Sequence, residues 1–163
     1  GFGTMDELFE VMTLIQTGKA QVVPIVLIDA KGGTYWKTWF RFVKDHLFRL
    51  GLISEDDFHL FKVTDDLDEA VEVITGFYRN FHSYRYVGKR LVMRLQHPVT
   101  PELLGKLNDE FVDLIEEGAY HTSNALPQEA DEPHLQDLPR LICTKKRGLA
   151  GRFRQLIDCV NEG

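Results

Sequence analysis

Val22-Val23-Pro24-Ile25-Val26-Leu27-Ile28 is a continuous apolar run. A run without polar alternation fits a parallel strand covered on both faces, and Pro24 falls near its start, where a missing N–H does least harm. Such a strand needs layers on either side. The flanking residues supply helices. Upstream, Leu8, Val11, Met12, Leu14 and Ile15 recur at helical spacing from Thr4 to about Thr17, and Gly18 is a natural stop. Downstream, Lys31-Gly32-Gly33-Thr34 reads as a loop and Tyr35 to Leu50 as a second helix ended by Gly51, dense in aromatics that suit a core or a subunit contact.

Further along, the acidic first turn Ser54-Glu55-Asp56-Asp57 suits a short helix to Leu60, and Phe61-Lys62-Val63-Thr64 a short strand. Asp65 or Asp66 then caps a helix from Leu67 to about Ile74. Helix, strand, helix, strand, helix is the alternation of a doubly wound α/β domain seen from its middle onward. In that fold ligands bind at the carboxyl ends of the parallel strands.

Beyond Gly76 the pattern changes. Phe77 to Tyr86 mixes aromatics with arginines and reads as a linker or packing segment, a helix continuation, or a groove in which rings stack on bases. Arg90 to Leu95 is a strand. Thr100 opens a helix from Pro101 to Glu117, stopped by Gly118, and Tyr120 to Leu126 is a second strand. Pro127 to Pro139 is an acidic loop, Arg140 to Thr144 a strand, and Leu149 to Val160 a closing helix. The expected organisation is residues 1–76 as part of a doubly wound α/β domain and residues 77–163 as a small α+β extension with a βαββα pattern.

Composition narrows the function classes. The 163 residues carry 44% hydrophobic and 27% charged side chains, globular values. A net charge of −6 argues against a general nucleic-acid footprint. The basic run Lys145, Lys146, Arg147, Arg152 and Arg154 reads first as a solvated face. Cys143 and Cys159 lack metal or redox spacing and read as reduced, buried thiols. No histidine pair has ligand spacing, so neither a metal nor a cofactor is expected. No apolar run reaches membrane-spanning length and no leader pattern opens the chain, so the expectation is a soluble, cytoplasmic protein without a membrane partner.

The segment with chemical character is Gly1-Phe2-Gly3-Thr4-Met5-Asp6-Glu7. Read as a glycine-rich turn entering a helix, it lets the backbone approach a ligand closely and offers the helix's unpaired N–H groups to an anion. Gly1, Gly3 and Thr4 are the candidate phosphate-binding residues, with Glu7 one turn on. The same Thr4-x-x-Glu7 spacing is also that of a capping box, in which both side chains satisfy the helix's own donors.

Gly1 to Glu7 resembles the latter part of the P-G-G-x-G-T-x-x-E signature of the LONELY GUY family, the Rossmann-like proteins long described as possible lysine decarboxylases. Leu8 to Val11, Leu14 to Lys19, Pro24 to Ile28, Tyr35-Trp36 and Gly51 to Ser54 continue the resemblance in order. It implies the C-terminal part of a Rossmann-like doubly wound parallel sheet over roughly residues 1 to 75. It also implies a phosphoribohydrolase that splits nucleoside 5'-monophosphates, cytokinin-type nucleotides among them, into base and ribose 5-phosphate. Glu7 would be the catalytic carboxylate, and the protein a homodimer or larger assembly. The signature's proline and further glycine do not precede Gly1, and the family's catalytic arginine belongs to the upstream part. The resemblance therefore implies the C-terminal portion of a longer bacterial member, inactive alone. Lysine decarboxylation fits poorly, since no lysine sits in a recognisable pyridoxal-binding setting. The rival from another class is a non-catalytic nucleotide-binding or regulatory module, in which the same loop senses a phosphorylated ligand.

Overall fold

The computed structural model describes residues 1–163, a mixed α/β chain that divides into two compact units. One comprises residues 1–76 with 148–155, the other residues 77–147 with 156–163.

In the first unit, α1 (Phe2–Gln16) leads to β1 (Ile25–Ile28), α2 (Tyr35–Phe42) with a π-helical turn (Val43–Phe48), a 3-10 turn (Glu55–Leu60), β2 (Phe61–Thr64) and α3 (Leu67–Phe77). The apolar run thus becomes a strand from Ile25, and Pro24 stands just ahead of its ladder. β1 and β2 pair in parallel, Ile25 opposite Phe61 and Ile28 opposite Thr64, and the N–H of Asp29 extends the ladder to the carbonyl of Thr64. The parallel sheet has these two strands, so the doubly wound architecture expected from the alternation comes down to one parallel pair joined by a helical crossover. Leu8 and Ile15 of α1, Leu27 of β1, Trp39 and Val43 of the second helix, and Leu60 and Phe61 are buried. The rings of Phe9, Trp36 and Phe61 pack around Trp39 at centroid distances of 5.8, 5.9 and 5.2 Å. Of the aromatics of the second helix Trp39 is therefore core and Trp36 and Phe40 are half-buried, while Tyr35, Phe42 and Phe48 are exposed. At the head of α3, Asp66 accepts from the N–H groups of Asp68 and Glu69, the expected side-chain cap.

The second unit holds β3 (Phe81–Val87), β4 (Arg90–Leu95), α4 (Pro101–Glu110), β5 (Ile115–Ser123), β6 (Arg140–Lys145) and the last residues of α5 (Ala150–Glu162). The four strands form an antiparallel sheet in the order β3-β4-β6-β5, giving ββαββα where the sequence suggests βαββα. The added strand is the aromatic and arginine segment: Tyr84 pairs with Met93 and Tyr86 with Leu91. Phe77, Tyr78, Phe81 and Tyr84 pack on one another, and Arg85 is ion-paired to Asp131 and Glu132, so rings and guanidinium are engaged in packing rather than laid out as a base-stacking groove.

The helix expected to run to Glu117 stops at Glu110, and Gly118, expected to end it, sits inside β5 with φ +78°. Side-chain contacts decide this boundary. Asn108 donates to the carbonyl of Tyr120 and accepts its N–H at 2.8 Å, while the Tyr120 hydroxyl donates to the carbonyl of Phe111. These bonds fold the chain back on itself, and Ile115 and Glu117 pair with Lys145 and Thr144. The register shifts between Glu117 and His121, a bulge for which the left-handed glycine is suited. Pairing and burial of Leu114 and Ile115 outweigh the helical propensity of the segment.

The acidic loop is anchored from within. Glu129 is fully buried and accepts from Arg94 and Arg140 and from the N–H of Leu126. At the end of α5, Asn161 accepts from the N–H groups of Asn80 and Phe81, both at 2.8 Å, and donates to the carbonyl of Phe77 at 2.7 Å, tying the helix to the start of β3. Cys143 and Cys159 are buried free thiols, as the sequence suggests.

Candidate functional site

The candidate residues lie together in the first two turns of α1. The expected glycine turn is absorbed into the helix: Gly1 is the N-cap, and the N–H of Met5 reaches the carbonyl of Gly1 at 3.3 Å to close the first turn. Thr4 is therefore the third helical residue, not the cap, and Thr4 with Glu7 is not a capping box. Its hydroxyl instead lies 3.4 Å from the amino group of Gly1.

This placement retains the features an anion needs. In a helix starting at Phe2, the N–H groups of Phe2, Gly3 and Thr4 have no carbonyl one turn back. No atom beyond the neighbouring backbone lies within 4 Å of where a β-carbon would stand on Gly3. Glu7 is exposed. It is three residues from Thr4 and four from Gly3, spacings that put all three on one face. Helical side chains tilt toward the N-terminus, so the Glu7 carboxylate leans toward the Gly3–Thr4 end.

The neighbouring structure is built at the carboxyl ends of the two parallel strands. After β1, residues 29–34 turn into α2, and the turn is held from two sides. Asp65, just past β2, accepts the N–H of Gly32 at 2.9 Å and meets the ammonium of Lys37 at 3.3 Å. These two contacts, the backbone N–H first, hold its carboxyl below the ordinary aspartate value. Asp29 accepts the N–H of Trp36 at 3.0 Å, supplying the first turn of α2 with an acceptor. A β-carbon on Gly33 would lie 2.7 Å from the carbonyl oxygen of Ala30, so the turn closes this tightly only with glycine there. Met5 of α1 and Thr34 and Tyr35 at the start of α2 line one hollow, which places the first turn of α1 beside the carboxyl-end turn of β1. Gly32-Gly33 after an apolar run was the visible signal of a tight turn; the roles of Asp29 and Asp65 carried none, since their partners lie 7 and 33 residues away.

Residues 1–74 match the family model described as "possible lysine decarboxylase". Over these residues the chain is similar to the LONELY GUY family. The match takes in Gly1 to Glu7, both parallel strands and most of α3; residues 75–163 lie outside it. No curated protein matches the chain.

The basic run does not form one exposed surface. Lys145 is buried and donates to the carbonyl of Lys146, Lys146 donates to that of Asp113, and Arg154 is buried. No helix is long and apolar enough to cross a membrane.

Proposed function

We propose that the protein is a nucleoside 5'-monophosphate phosphoribohydrolase of the LONELY GUY type. The observation that carries the reading is the coincidence of the family match with the Gly3, Thr4 and Glu7 face at the start of a 15-residue helix. The parallel pair β1–β2, with its crossover helix, is on this reading part of a Rossmann-like doubly wound sheet.

The 5'-phosphate sits at the N-terminus of α1, bound by backbone N–H groups around Gly1 and Gly3 and by the Thr4 hydroxyl, with the helix dipole favouring its charge. Anchoring the phosphate fixes how far C1' of the ribose lies along the helix, so binding energy is used for positioning. The N-glycosidic bond breaks with its electron pair going to the base, and positive charge builds on the ribose ring. Glu7 stabilises that charge and orients the water that adds at C1'. One water proton reaches the departing base, and the products are free base and ribose 5-phosphate.

Glu7→Gln in the complete protein, with the upstream part supplied, tests the assignment. Removing a negative charge near a phosphate leaves AMP binding intact or tighter, while base release falls by about 100-fold or more, the scale of losing one transition-state contact. Base release at the unsubstituted rate would remove Glu7 from the mechanism. Absence of nucleotide hydrolysis even by the complete protein, with the upstream part supplied, would favour the nucleotide-binding regulatory module.

A further inference from the structure

We infer that the outer edge of β2, with the aromatic recess beside it, receives an extended acidic peptide segment, which adds a third strand to the parallel pair and seats one apolar side chain in the recess. The inference is independent of the phosphoribohydrolase reading.

The carbonyl of Thr64 accepts the N–H of Asp29 and so faces β1. Main-chain groups of successive strand residues point to opposite sides, so those of Phe61 and Val63 point away from β1. No strand pairs with that side, since the parallel sheet ends at β2. Val63 therefore presents a donor and an acceptor outward, a template for another chain.

The recess lies on the same edge. It measures about 360 Å³ and is lined by Lys37, Phe40, Phe58, Phe61, Lys62 and Val63. Phe61 and Val63 share the face of β2 that looks toward α2, where Phe61 packs on Trp39 and Phe40. The rings of Phe40, Phe58 and Phe61 stand edge to face at centroid distances of 5.5, 6.0 and 6.4 Å, which makes an apolar floor. Lys62 turns to the opposite face and meets Glu69 of α3 at 2.8 Å, while Lys37 stands at the carboxyl end of β2, 3.3 Å from Asp65. Their side chains are 52% (Lys37) and 48% (Lys62) exposed. Exposed ion pairs are weakly held, and an ammonium has three donors, so each lysine has capacity for an incoming carboxylate.

These positions define the partner. In a strand laid along Val63, one side chain points into the recess, its sequence neighbours lie on the Lys62 face, and residues two away return to the Lys37 face. The matching segment therefore carries an aromatic or large aliphatic residue flanked by carboxylates. In this mode of recognition main-chain bonds supply affinity and pockets for alternate side chains supply specificity. A second copy of β2 fits poorly, because pairing this edge with itself sets the lysines of one copy against those of the other.

The test titrates the complete protein, with the upstream part supplied, with the symmetrical peptide acetyl-Thr-Asp-Glu-Phe-Glu-Asp-Thr-amide, whose pattern is the same in either strand direction. Binding should fall about tenfold or more when its phenylalanine becomes serine, and again when its acids become lysines. N-methylation of the phenylalanine and both aspartates should have the opposite outcome to N-methylation of the two glutamates, one abolishing binding and the other sparing it, since only alternate N–H groups face β2. Lys62→Glu, at an exposed position, should weaken the peptide about tenfold or more through like charge. Val63→Pro removes an outward N–H rather than one in the ladder to β1, and should weaken it similarly. Lys62→Glu decides alone if the proline variant does not fold. In the unsubstituted protein the Val63 amide should become protected from hydrogen exchange when the peptide binds. Absence of binding up to about 1 mM, equal binding of the acidic and basic peptides, or equal effects of the two methylation patterns would overturn the proposal. So would unaltered affinity in Lys62→Glu. Self-association that Val63→Pro abolishes, with no peptide bound, would make a second copy the occupant and overturn it too.

Discussion

The backbone of Gly151, in the first turn of α5, passes so close to Asp56 that a β-carbon there would stand 1.9 Å from the Asp56 carbonyl oxygen. The helix start thus packs backbone to backbone on the 3-10 turn of the first unit, and Gln155 adds a bond to the Asp56 carboxylate at 3.0 Å. The neighbour is main chain, which cannot swing aside as a side chain would.

Gly151→Ala is therefore expected to destabilise the protein by about 3 kcal/mol, the upper part of the range for overpacking. Gly105→Ala, at an exposed position of α4 with nothing within 4 Å of the added carbon, should instead stabilise by about 0.5–1 kcal/mol through helix propensity. Urea midpoints of the two variants moving the same way would refute the steric account.

Acid stability in the second unit should depend on Glu129. Burial works to raise its pKa, but the N–H of Leu126 and the guanidinium groups of Arg140 and Arg94 together outweigh it and hold the carboxyl below its ordinary value. Glu132 is lowered as well, by Arg94 first, against a smaller opposing effect of desolvation. A folded-state pKa below the unfolded one means the stabilisation is fully present above the unfolded value, about 4.3, and is lost as pH falls below it. Glu129→Gln leaves the buried Arg140 guanidinium without a counter-charge and Arg94 with Glu132 alone, and should cost about 3–5 kcal/mol at neutral pH. It should also flatten the acid limb. Cys143 and Cys159 report on this unit, since both are buried and burial pushes the Cys143 thiol up to about 12. A disulfide reagent active in acid should label them at higher pH, or lower urea, in the variant; identical labelling curves would count against the charge clasp.

Nucleoside monophosphates, rather than nucleosides, should be the ligands, because the donors at the start of α1 need an anion. Calorimetric titration with AMP and adenosine tests this directly. Equal affinities would remove the phosphate from the Gly1–Thr4 segment.

A homodimer or larger homo-oligomer is expected from the exposed apolar groups that continue the second helix, Phe48, Leu50 and Leu52. Sedimentation equilibrium at micromolar concentration should give at least twice the 18.8 kDa chain mass. A monomer throughout that range would refute it.

Features that depend on neighbouring residues were legible in the sequence. The apolar run before Ile28, the periodicity of α1 and α2, the Asp66 cap and the motif Gly1 to Glu7 each declare themselves within a few residues, because helical spacing, strand burial and capping are local rules. Features that depend on distant partners were not. Whether Ile115 to Glu117 is helix or strand was settled by Asn108, Tyr120 and the edge of β6; whether Phe81 to Val87 is a linker or a strand, by β4. Glu129 looked like one acid in an acidic loop until Arg94 and Arg140 closed on it from 35 and 11 residues away. The hollow has the same origin: Met5 and Thr34 border one space only because α1 and the crossover helix pack together. Tertiary packing alone brings such residues within range, and contact energies act over ångströms of space rather than along the chain.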